Sequence, residues 1–226
     1  GGLDPSGAFD ALAEVLHIDP TDERILGEIQ RLGAGGTPSH PSPARVGEAL
    51  AAAAAVADPP VRRALRLTAL TYLTGDPASR PAARAVYRAM LDDDATDADA
   101  LEGLDRLTQA EGDDRGRLDV LQARVQAAAN KAEQTALRLE HARLADALGE
   151  EDTALADYRA LLDRENPDVR REAAAALCDL HERRGEQREL ADSLMVLRGM
   201  TEDADGRLAL GLRAAAVLSQ YGDVER

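Results

Sequence analysis

Arginine is the residue type with the most binding chemistry in this chain, at 26 copies against a single lysine, Lys131. Arg62, Arg63 and Arg66 crowd one segment, Arg138 stands at the position equivalent to Arg66, and Arg170 and Arg171 are paired further on. A guanidinium grips a carboxylate through two parallel N–H donors, so a ladder of this kind would read an acidic segment or a C-terminal carboxylate of a partner. Arg62, Arg66, Arg138, Arg170, Arg171 and the adjacent His141 are therefore the candidate partner-binding residues. The competing role is pairing with acids three or four residues away on solvated helix faces.

Other reactive side chains offer less. No two of His17, His40, His141 and His181 are spaced as metal ligands, and His181-Glu182-Arg183-Arg184-Gly185 lacks the second histidine of a zinc helix. The acidic run from Asp92 to Asp99 has oxygen donors at alternate places, as a hard cation requires. The glycine at position six and the glutamate at position twelve of a calcium loop are replaced by Asp97 and Gly103. Cys178, the only cysteine, lies among alanines and leucines and reads as a buried thiol. No nucleophile triad, phosphate loop or general-acid pair stands out. The expectation is a protein that is not an enzyme and needs neither cofactor nor metal.

The elements that would carry these residues are set by five glycines. Gly75, Gly112, Gly149, Gly185 and Gly222 recur at spacings of 37, 37, 36 and 37, each followed at once by an acid. Between them fit two helices of about four turns. A left-handed glycine ends one helix, and the acid after it favours the start of the next. A longer register overlies this one. Tyr87-Arg88-Ala89-Met90-Leu91 nearly coincides with Tyr158-Arg159-Ala160-Leu161-Leu162 at a spacing of 71, and Ala64-Leu65-Arg66-Leu67 with Ala136-Leu137-Arg138-Leu139 at 72. Units thus alternate between two types. Residues 1–32 read as an N-terminal hairpin, 33–43 as a Gly/Pro-rich loop or linker, and 44–226 as a continuous array.

The first half of each hairpin also resembles a known family. Ala8, Leu12, Val15, Leu16 and Pro20 are matched by Ala83, Tyr87, Met90 and Leu91, then by Ala154, Tyr158, Leu161 and Leu162. This pattern resembles the second helix of tetratricopeptide repeats, and Leu177, Cys178, His181 and Gly185 match the other helix in kind. Asp58-Pro-Pro-Val-Arg-Arg-Ala and Asn166-Pro-Asp-Val-Arg-Arg-Glu-Ala-Ala resemble instead the helix start of HEAT repeats. Both resemblances imply an all-α right-handed superhelix, here of about six hairpins. The tetratricopeptide resemblance places the arginines on its concave face.

Composition narrows the partners. A net charge of −15 with arginines interleaved among acids disfavours nucleic acid and anionic membranes. The stretch from Leu50 to Ala57 is too short to span a bilayer. A lone cysteine favours the cytoplasm over secretion, although a Gly-Gly start leaves room for a removed leader. The expected function is a noncatalytic scaffold for a protein or peptide. The alternatives are a regulatory segment of a larger enzyme and a self-assembly module. Asp223-Val-Glu-Arg226 reads as the start of another helix, which would leave the last unit uncapped and open to self-association.

Overall fold

A computed structural model describes residues 5–34 and 40–224. Among the described residues twelve α-helices follow one another, and there is no strand. The chain divides after Leu107 into two compact units. The first holds α1 (Pro5–Ile18), α2 (Glu23–Gly33), α3 (Pro43–Val56), α4 (Pro59–Leu73), α5 (Arg80–Asp93) and most of α6 (Ala98–Glu111). The second holds α7 (Asp114–Ala127), α8 (Lys131–Ala147), α9 (Glu151–Leu161), α10 (Pro167–Arg184), α11 (Gln187–Gly199) and α12 (Ala204–Val224). Within each unit the chain is an all-α helical-repeat arrangement, with successive helices packed on one another. Residues 35–39 of the Gly/Pro-rich stretch and residues 225–226 lie outside the described residues.

The Gly-acid pairs work as helix punctuation at three of their five positions. Gly112, Gly149 and Gly185 have φ of 67°, 74° and 69°, a region that costs a side-chain-bearing residue dearly. Around each, two hydrogen bonds close the helix end. Gly112 N donates to the Gln109 carbonyl at 3.2 Å and Asp113 N to Thr108 at 2.9 Å; the equivalent pairs are Gly149 to Asp146 with Glu150 to Ala145, and Gly185 to Glu182 with Glu186 to His181. This is the Schellman pattern, which satisfies carbonyls the helix leaves open. Asp113 then caps α7 by accepting from Gly116 N at 3.0 Å.

Two of the five depart from the expectation. Gly75 makes its turn without a left-handed backbone, and Asp76 caps a short 3₁₀ turn at Pro77–Ser79. Gly222 lies inside α12, which runs without a break to Val224. Asp223 therefore does not open a further helix; the helix simply continues through the Gly-acid pair.

Small residues let the helices approach. Ala142, Ala145, Ala154 and Ala173 are fully buried and sit with Tyr158, Leu161, Leu177 and Leu180 in one core shared by α8, α9 and α10. A second core joins Cys178, Leu190, Leu194 and Ala214 of α10, α11 and α12. Each fully buried leucine contributes roughly 1.5–3 kcal/mol of transfer free energy, so the helices are held mainly by these seams.

Candidate binding grooves

The first unit carries a groove between α3 and α5, floored by α4. Ala51 and Ala55 on one wall and Ala82, Ala85 and Ala89 on the other leave an open cleft of about 290 Å³ above Leu73 and Val86. Short side chains on both walls create the space. Two charged residues line it, Glu48 from α3 and Arg66 from α4.

The second unit repeats the construction with different chemistry. Here α7 and α9 form the walls, α8 the floor, and the cleft measures about 470 Å³. Asp119 and Gln122 face Thr153, Ala156 and Asp157 across Arg138 and His141. At the spacing of 71 or 72 residues, Glu48 corresponds to Asp119, Ala51 to Gln122, Arg66 to Arg138, Ala82 to Thr153, Ala85 to Ala156 and Val86 to Asp157. One backbone design is thus lined by alanine in the first unit and by hydrogen-bonding groups in the second.

The candidate arginines are mostly engaged within the protein. Arg62 donates from Nη1 to both oxygens of Asp93 at 3.2 Å, while its Nε and Nη2 reach back to the Ala57 carbonyl. Arg66 donates to the same carboxylate at 2.7 Å, so α4 clamps the end of α5 with two guanidinium groups. Partial burial pushes the Asp93 carboxyl up, but the bonds from Arg62 and Arg66 outweigh it and hold the group below its ordinary range. Arg138 Nη1 donates to Asp157 Oδ1 at 3.1 Å, and His141 Nδ1 bonds the other oxygen of Asp157. His141 and Asp157 are buried, and Arg138 keeps a buried Nε with no acceptor.

Arg171 pairs with Asp168 one turn away at 3.2 Å, a contact with an exposed acid. Arg170 forms no ion pair with a described residue, and its Nε is buried without an acceptor. Six candidates therefore fall in three places: Arg62 and Arg66 on Asp93, Arg138 and His141 on Asp157, and Arg170 with Arg171 at the start of α10.

Several residues of weight were missed by the sequence reading. Asp93 and Asp157 are the acceptors that occupy the arginines, and Glu48 and Asp119 are the acids that line the grooves. The register of 71 held the signal, since Glu48 and Asp119 are equivalent in it.

The acidic run is used locally. Asp94 accepts from Thr96 N and Oγ1 at 2.9 and 2.7 Å, Asp97 caps α6 through Ala100 N, and Arg63 reaches both Asp97 and Asp99. Among the described residues no group of three or more His, Cys, Asp or Glu is arranged to hold a metal ion. His17 Nδ1 donates to the Ala52 carbonyl at 3.2 Å, and His181 Nδ1 bonds Glu186 at 2.6 Å. The bonds from His181 and Arg184 hold the Glu186 carboxyl below its ordinary range. Cys178 is buried, and burial pushes its thiol up to about 11. No described helix is long and apolar enough to cross a membrane. No protein-family model matches the chain, and no curated protein matches it in sequence.

Proposed function

We propose that this chain is a noncatalytic protein-binding scaffold that receives a helix or extended segment of a partner in the grooves over α4 and α8. The observation that carries this reading is the repetition of one groove at equivalent positions in both units, open to solvent each time. A pocket built for chemistry brings reactive groups together on one substrate-sized site. Here the buried carboxylate of the second groove is instead taken up inside the protein, with Asp157 accepting from both Arg138 and His141. The resemblance to tetratricopeptide repeats points the same way, as fold-level analogy.

The test fills the grooves without touching the core. Ala85→Trp and Ala156→Trp place a bulky ring in each cleft on a wall residue. Circular dichroism should show both variants folded, and capture of partners from the source lysate should fall. Folded variants that retain the full set of captured proteins would overturn the reading.

A second reading, self-association, draws on α12. Leu208, Leu212 and Leu218 stand 62, 63 and 48% exposed along that helix, a large apolar display for a soluble surface. Sedimentation over a range of concentrations tests it, because a strictly monomeric chain would remove it.

A further inference from the structure

We propose that the partner of the two grooves is a basic one: an amphipathic segment whose lysine or arginine pairs with Glu48 or Asp119, with its apolar or hydrogen-bonding side chains entering the cleft beside it. This deepens the scaffold reading and rests on it. The floor arginines, which the sequence suggested as receptors for an acidic peptide, already hold carboxylates of their own chain. Arg66 is bound to Asp93 at 2.7 Å and Arg138 to Asp157 at 3.1 Å. An incoming anion would have to displace Asp157, which Arg138 and His141 hold together, or Asp93, which Arg62 and Arg66 share.

The acids across the same grooves stand differently. Glu48 and Asp119 are exposed, occupy equivalent positions on α3 and α7, and form no ion pair with a described residue. Each groove therefore presents one unspent negative charge at the same place. The surrounding chain reinforces the sign, since a net charge of −15 draws cationic segments toward the surface and repels anionic ones. Lining chemistry then separates the two grooves. The alanine walls of the first suit an apolar side chain next to the partner's cation, whereas Gln122 and Thr153 suit a hydrogen-bonding one.

The experiment uses two synthetic helical peptides of about 15 residues, roughly the length of a groove wall. They share their apolar positions and differ only in carrying lysine or glutamate on the polar face. Binding is measured by fluorescence anisotropy against the intact chain, a Glu48→Lys/Asp119→Lys variant, and an Asp192→Lys/Glu202→Lys control that changes net charge equally away from the grooves. The expected result is binding of the lysine peptide to the intact chain and the control, weakened about tenfold or more by the groove variant, with little binding of the glutamate peptide. Equal losses in control and groove variant would mean bulk charge alone and overturn the proposal. Preference for the glutamate peptide would overturn it too, yet leave the scaffold reading standing. If neither peptide binds, the basic-partner proposal fails, and the tryptophan variants decide separately whether the grooves bind anything.

Discussion

Arg138 and Asp157 join α8 to α9 at the floor of the second groove, with Arg138 Nη1 3.1 Å from Asp157 Oδ1. The Asp157 side chain is only 8% exposed, and its second oxygen is taken by His141. Removing one partner of such a pair leaves a charged group in poor solvent, a loss larger than the pair's own net worth. Asp157→Ala should therefore lower unfolding stability by about 3 kcal/mol, read as a fall in the urea midpoint. Asp157→Asn, which keeps an acceptor for Arg138, should lose less.

The Asp93 clamp predicts a pH dependence. Its folded-state pKa lies below the ordinary value of 3.8, so the stability it contributes is fully present above that value and disappears as pH falls through the lower folded-state value. At neutral pH Asp93→Asn should be less stable than the parent chain. As pH falls below 3.8 and through the lower folded-state value, the two urea midpoints should draw together. A gap that persists unchanged in acid would mean the contribution comes from packing and not from charge.

Equivalent glycines should respond in opposite ways. Gly149→Ala forces a side chain into a left-handed backbone and should cost about 1–2 kcal/mol, although a Cβ there would meet no neighbour. Gly75→Ala and Gly222→Ala face neither obstacle, and each should be neutral or stabilising by up to about 1 kcal/mol. Thermal unfolding of the three single variants checks the sign.

These differences mark how far the sequence could be read. The repeat, the hairpins and the helix ends at Gly112, Gly149 and Gly185 were legible because a Schellman turn depends on a few adjacent residues. Gly222 has the same local signature, yet α12 continues through it to Val224. The arginines were harder. Their expected partners lay three or four residues away, but Arg62 and Arg66 reach Asp93 at separations of 31 and 27, and Arg138 reaches Asp157 at 19. Such partners become neighbours only when the next helix packs alongside, which local spacing does not specify. The acids Glu48 and Asp119 were visible as equivalents but gave no sign of lining a cleft.

Cys178 offers a probe of the α10–α12 core. With the thiol raised to about 11 and shielded by Leu190, Leu194 and Ala214, it should react with an aromatic disulfide reagent at pH 8 about a hundredfold more slowly than in the urea-unfolded chain. Reaction at the unfolded rate under native conditions would show that this core opens readily.

In both units a helix packs chiefly on helices one or two places away along the chain. Contacts that form between close neighbours in sequence need little loop closure before they are rewarded, and such chains fold in microseconds to milliseconds. Any of the hairpins can serve as the seed, with ordering spreading to the next one through a shared seam of alanine and leucine. Hydrogen exchange should accordingly reveal graded protection, deepest in the α8–α10 seam and shallowest along α12, whose Leu208, Leu212 and Leu218 stand exposed.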